Sequence, residues 1–91
     1  MSRAQARAAL ESYLSRLSQP PPCRVLDGLA WIAEDPAEQS VAARACQTCP
    51  ALDPCRTYGL AHPREYGVYG AMTTGQRRSH HATQKRLRRT A

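Results

Sequence analysis

An all-α fold, a small domain of about four short helices, is what this chain predicts, on three observations. No stretch of useful length alternates apolar and polar residues as a half-buried strand would. Two Asp-Pro pairs, Asp35-Pro36 and Asp53-Pro54, each read as an N-cap followed by proline at the first helical position. Near the start, apolar residues recur at helical spacing.

The first helix puts Ala6, Leu10, Tyr13, Leu14 and Leu17 on one face and is stopped by Pro20, Pro21 and Pro22, with Cys23 following at once. A second starts at Asp35, where Glu38 completes a capping-box pattern, and runs through Val41, Ala42 and Ala45 to about Cys46. A third is short, opens at Asp53-Pro54, carries Cys55, Tyr58 and Leu60, and ends near His62-Pro63. The stretch REYGVYGAM is a turn framed by Gly67 and Gly70. The last helix begins at Thr73 or Thr74, with Gln76 as the N3 partner of Thr73, and continues through the basic end. The organisation is an amphipathic helix and proline stop over 1–22, a cysteine-bearing core over 23–72 that includes the GVYG turn, and a basic tail over 73–91.

Composition says what such a domain lacks. Of 91 residues 42% are hydrophobic, but 15 are alanine, leucine, isoleucine and valine together number 12, and phenylalanine is absent. The bulky core candidates are Val25, Leu26, Leu29, Trp31, Ile32, Val41, Leu52, Tyr58, Leu60, Tyr66, Val68, Tyr69 and Met72. At about 25 cal/mol per Å² such a set barely offsets the entropy of ordering the chain. The domain therefore needs a staple, and the four cysteines are the candidate. The opening MSRAQARAALESYLSRL lacks the apolar run and cleavage site of a secretory signal, and no stretch approaches a membrane span. The expectation is a cytoplasmic protein with no membrane partner, where thiols stay reduced and cysteines read first as metal or redox ligands.

Charge is segregated. Residues 1–65 hold seven arginines and seven acids; residues 66–91 hold no acid and add Arg77, Arg78, Lys85, Arg86, Arg88 and Arg89, so the net +6 sits in the C-terminal third. A neutral core with a basic tail points to a polyanion, most often nucleic acid. With Arg77 at zero on a helix, Arg88, His81, Lys85, Arg78 and Arg89 fall within about 120° and only Arg86 points elsewhere. No apolar stripe matches this basic one, so nothing is expected to hold the segment to the core. Six phosphate contacts at most imply a log–log salt slope of about −5.

Cys46 and Cys49 form a C-x2-C pair at a helix end, Cys55 follows, and Cys23 lies upstream. Pro50 ends one helix and Asp53-Pro54 restarts another, which puts Cys55 at N2, where free N–H groups favour a thiolate. Arg24 and Arg56, each next to a cysteine, offset an anionic group. Zinc is the simplest ligand, although only one close knuckle is present. An iron–sulfur cluster tolerates the uneven spacing. Two disulfides, or a thiol–disulfide reductase using Cys46 and Cys49, remain open from spacing alone.

The string C-x2-C-P-x4-C, the upstream cysteine, the glycine–valine–aromatic–glycine turn and the Thr73–Arg78 start of a basic end together resemble the WhiB-like family of actinobacteria and their phages, over roughly Cys23 to Arg89. The resemblance implies a domain organised around a [4Fe–4S] cluster on Cys23, Cys46, Cys49 and Cys55. It implies a transcription regulator responsive to oxygen or nitric oxide, with no enzymatic activity and no small-molecule substrate, whose apo form can make disulfides. Its implied partners are DNA, through the basic tail, and the C-terminal region of the primary sigma factor of RNA polymerase. The family turn is usually G-V/I-W-G-G; here Tyr69 stands in place of tryptophan and Ala71 in place of the last glycine. The turn residues Gly67, Val68, Tyr69 and Gly70, with Trp31, either fold back on the core or present an aromatic anchor to a protein partner. The alternative to a sensor is a zinc-stapled nucleic-acid-binding module.

Overall fold

The computed structural model describes residues 2–26 and 28–90, and of residue 90 the backbone alone. Among these it holds five α-helices and one isolated β-bridge. Helix α1 (Arg3–Ser15) opens on a capping box, in which Gln5 N–H donates to Ser2 Oγ at 3.1 Å and Ser2 N–H to Gln5 Oε1 at 2.8 Å. It ends before the prolines and packs on α4 (Leu52–Ala61). Of its predicted apolar face Leu10 is buried, Ala6, Leu14 and Leu17 are half-buried, and Tyr13 is exposed.

The triple proline does more than stop α1. Pro22 has the φ a helix start requires and becomes N1 of a one-turn helix α2 (Pro22–Val25) that carries Cys23; this is the helix beyond the expected four. A 3₁₀ turn, Gly28–Ile32, then delivers Trp31 to the core. Helix α3 (Pro36–Ala45) takes Asp35 as its N-cap as predicted, with Ala37 N–H donating to Asp35 Oδ1 at 2.9 Å, but the cap is this single bond to N2 and not the capping box expected with Glu38. It tightens into a 3₁₀ turn at Cys46–Thr48, and Cys49 is extended, as the residue before Pro50 must be.

The start of α4 differs from expectation. The helix begins at Leu52, not after Asp53, because proline is tolerated throughout a first turn, where no intrahelical N–H bond is lost. Pro54 is then N3 and Cys55 is N4, its N–H already bonded to Ala51 O at 3.0 Å. Helix α5 (Thr74–Thr90) opens as predicted: Thr73 N–H donates to Gln76 Oε1 at 2.9 Å and Gln76 N–H to Thr73 Oγ1 at 3.2 Å. The buried Gln39 of α3 adds a cap, accepting Thr74 N–H at 2.9 Å.

The core is small. Trp31, Ala42, Ala43, Cys46, Val68 and Ala71 form its buried cluster, with Cys23, Ala30, Ala45 and Leu52 against it. Val25, Leu26, Leu29, Ile32, Val41 and Tyr66, read as core candidates, are exposed; for the first four the reason is that α2 and the 3₁₀ turn are too short to bury more than one side. This cluster of alanine, one tryptophan and one valine takes Cys46 into it and has Cys23 packed against it.

The segment 67–72 closes the core. Tyr69 and Met72 exchange both backbone hydrogen bonds at 3.1 Å, and the two residues between them have positive φ, 58° at Gly70 and 63° at Ala71, as a type I′ turn demands. Ala71 therefore sits in the left-handed region at a cost of about 1 kcal/mol.

Candidate metal centre and basic face

Three elements converge on one cavity of about 250 Å³ that all four cysteines line: α2 brings Cys23, the turn after α3 brings Cys46 and Cys49, and α4 brings Cys55. All four are free thiols, Cys46 buried and the others half-buried. Three sulfurs face N–H donors. The Trp31 indole Nε1 lies 3.2 Å from Cys46 Sγ, Gly70 N 3.2 Å from Cys55 Sγ, and Ala51 N 3.4 Å from Cys49 Sγ. Such contacts orient thiolate ligands and stabilise their negative charge. At Cys55 this donor stands in for the helix-terminus stabilisation expected of an N2 position. Burial nevertheless pushes the Cys55 thiol up to about 11, with the Gly70 N–H acting against the rise. Burial also raises the Cys23 thiol, and the adjacent Arg24 opposes it. A metal that takes these thiols must displace their protons.

Helix α1 lies along the cavity, contributing Arg7, Leu10, Glu11 and Leu14 to its lining, a role that the sequence did not reveal. Two polar contacts tie it down. Glu11 pairs with Arg24, beside Cys23. At the other end Glu65 collects Tyr58 Oη at 2.6 Å, Arg7 Nη1 at 2.9 Å and Arg3 Nη1 at 3.5 Å. The Tyr58 hydroxyl, followed by Arg7, holds the Glu65 carboxyl below its ordinary range, and burial followed by the bond to Glu65 pushes Tyr58 up to about 12. A depressed carboxylate stabilises the fold fully above its unfolded pKa and loses that contribution as pH falls through its folded value. Thermal melts of the wild type are therefore expected to fall on acidification below the ordinary carboxylate range. Glu65→Gln should melt lower at neutral pH and lose that part of the acid dependence; an unchanged acid profile would remove the carboxylate from the account.

The turn is spent on the fold. Trp31 and Val68 are 8% and 6% exposed, and Gly67 and Gly70 are buried. Tyr69 is half-buried, its ring 5.3 Å from that of Tyr58 and its hydroxyl accepting from Arg7 Nη1 at 3.0 Å. Of the five residues considered for a partner-facing anchor, only Tyr69 keeps an exposed edge.

Arg77 corrects the reading of the tail. It is 0% exposed and does not belong to the basic surface. Its Nη1 donates to Gly59 O at 3.2 Å and His62 O at 3.3 Å, its Nη2 to Gly67 O at 2.7 Å and to Glu65 O, and its Cζ lies 5.0 Å from the Tyr69 ring centroid. Four carbonyl oxygens and an aromatic face replace water around this cation. Its Nε is the buried side-chain polar atom without a partner among the described residues. Burial lowers the Arg77 pKa, and Tyr69 acts the other way. The segment expected to be unattached is thus bolted to the core at its first turn. Arg78, Lys85, Arg86, Arg88 and Arg89 are exposed along the rest of α5. No helix among the described residues is long and apolar enough to cross a membrane.

Comparison with known proteins identifies relatives of this sequence. Two sequences named Transcriptional regulator WhiB2, both from Mycolicibacterium smegmatis, are each 34% identical over 56 residues, which take in 62% of this chain and 43% of the relative. The chain thus matches less than half the length of these curated relatives. No solved structure matches it. The family model described as Transcription factor WhiB matches residues 18–79, which spans all four cysteines, the turn and Arg77. On that match the chain belongs to the WhiB family of transcription factors.

Proposed function

We propose that this WhiB-family chain is a [4Fe–4S] transcription regulator, with Cys23, Cys46, Cys49 and Cys55 as the cluster ligands. The observation that carries this reading is the single cavity lined by all four cysteines. An apolar cavity of about 150 Å³ accepts benzene; one of about 250 Å³ suits an eight-atom cube better than a lone ion. A zinc staple, the second reading, needs its donors around one centre at about 2.3 Å. A reductase would need an accessible Cys46–Cys49 pair, and Cys46 is buried under the Trp31 indole.

Bound there, the cluster would supply a centre that reacts with oxygen or nitric oxide and that cross-links α2, α3 and α4. The chain's own residues do the rest. Trp31, Ala51 and Gly70 aim N–H groups at the sulfurs, and α1 forms one wall of the cavity. Loss of the cross-link would loosen a fold whose core is otherwise small, and so change what α5 presents to DNA. The DNA-binding residues are then Arg78, Lys85, Arg86, Arg88 and Arg89, without Arg77. For the C-terminal region of the primary sigma factor, the supporting surface is the exposed apolar group Val25, Leu26 and Ile32 near Cys23, with the edge of Tyr69. Such a regulator works in the cytoplasm.

Anaerobic isolation tests this directly. Iron and acid-labile sulfide in equal amounts are expected, and a colourless protein carrying one zinc and no sulfide would end the cluster reading. Co-expressed sigma-factor fragment should stay with the coloured protein; its absence would remove that partner and leave the cluster standing.

A further inference from the structure

Arg64 lies outside the basic tail, in the turn after α4, yet it lines one concave space of about 350 Å³ with Arg78 and His81 of α5 and with Pro63. The buried Arg77 builds this arrangement. Its guanidinium holds the carbonyls of His62 and Glu65, the two residues that bracket Pro63-Arg64. Those residues are also tied to each other, Glu65 N–H donating to His62 O at 3.0 Å. The turn is therefore closed on itself and fastened to the helix residue adjacent to Arg78.

Among the described residues, no carboxylate pairs with Arg64, Arg78 or His81. The neighbouring acid, Glu65, is engaged by Tyr58, Arg7 and Arg3 instead. Two guanidinium groups and an imidazole facing one open space without a counter-charge suit a phosphate-sized anion, whose oxygens match the guanidinium forks. On α5 the residues Arg78, His81, Lys85 and Arg89 fall within about 80° of one another. The pocket is thus the inner end of a row of cations, which a polyanion can follow and a single phosphate cannot.

We propose that Arg64, Arg78 and His81 together bind one phosphodiester of the DNA backbone, and that this contact seats the first turns of α5 on the duplex. The proposal rests on the DNA-binding reading above and adds to it a residue from a separate element. The test is fluorescence anisotropy of the full chain on a labelled duplex of arbitrary sequence at stepped KCl concentrations. The proteins compared are the wild type, Arg64→Gln, Arg64→Lys, Arg78→Gln, the double glutamine variant, and Arg88→Gln as a contact far along the helix. Arg64→Gln and Arg78→Gln should each weaken binding about three- to tenfold. Arg64→Lys should keep the salt slope. The double variant should lose less than the product of the single losses and about 0.9 in slope altogether, because one phosphate is shared. Arg64→Gln binding like the wild type while Arg88→Gln weakens would overturn the pocket and leave the DNA reading intact. Multiplicative losses with twice that fall in slope would overturn the shared phosphate. A wild type that shows no salt-dependent retention of the duplex would remove DNA binding itself, and the pocket with it.

Discussion

Gly70→Ala is expected to leave no stably folded protein. A Cβ at this position would lie 2.2 Å from Arg56 Cα and 2.4 Å from Arg56 N, inside the backbone of α4, so no side-chain rotation relieves the clash. The φ of +58° adds the left-handed penalty. Separating turn and helix would also take the Gly70 N–H from Cys55 Sγ and its carbonyl from Arg56 Nε, now 2.8 Å away. A loss above about 4 kcal/mol follows, most of what a domain of this size has to lose. Gly75→Ala is the comparison: its Cβ would meet nothing within 4 Å, and in a helix it should be neutral or stabilising by about 0.5–1 kcal/mol. Urea titration followed by far-UV circular dichroism separates the two. A Gly70→Ala protein that melts with the wild type would refute the close approach of turn and helix.

Arg77→Met carries the second large effect, and its neighbour supplies the control. The substitution keeps much of the side-chain length but strips the carbonyls of Gly59 and Glu65 of the Arg77 donor and removes the cation from the Tyr69 face. Unpaired buried acceptors cost about 1–3 kcal/mol each and the cation–π contact adds up to about 2, so a loss of about 3–5 kcal/mol is expected. Arg78→Met, one residue on and exposed, should stay within about 0.5 kcal/mol of the wild type. Thermal unfolding of the two proteins side by side gives the answer; equal losses would mean that Arg77 is not the clamp. The same geometry sets where the tail may be cut. A truncation that removes α5 entirely removes Arg77 and tests folding, whereas one that stops after Ala82 keeps the clamp and tests DNA contact alone.

Those two arginines show what the sequence could and could not reveal. Local chemistry was legible: the Asp35 cap and the Thr73–Gln76 capping box depend on residues within one helical turn, and each forms where its letters stand. The four cysteines reach one cavity because their spacing allows it. Arg77 and Arg78 are the same letter in the same helix, and only the return of the 59–67 segment decides which is inside. Periodicity alone assigns both to solvent. Cys55 moved from N2 to N4 for a related reason: Asp-Pro marks a helix start, but proline fits any of the first positions. Pro22 likewise read as punctuation and became the first residue of α2. The N–H donors to sulfur were invisible for a different reason, since two of them are backbone groups whose direction no side chain encodes.

The Arg77 clamp has one further consequence, for sequence drift. Every oxygen that this guanidinium holds belongs to the main chain. It therefore measures the path of the segment and ignores its spelling. At Ala61, His62, Pro63 and Arg64 the clamp is indifferent to which amino acid supplies the carbonyl frame. One residue inserted or deleted there would move at least one carbonyl out of reach. For this stretch the clamp constrains length, and residue identity answers only to other roles, such as the phosphate contact proposed for Arg64.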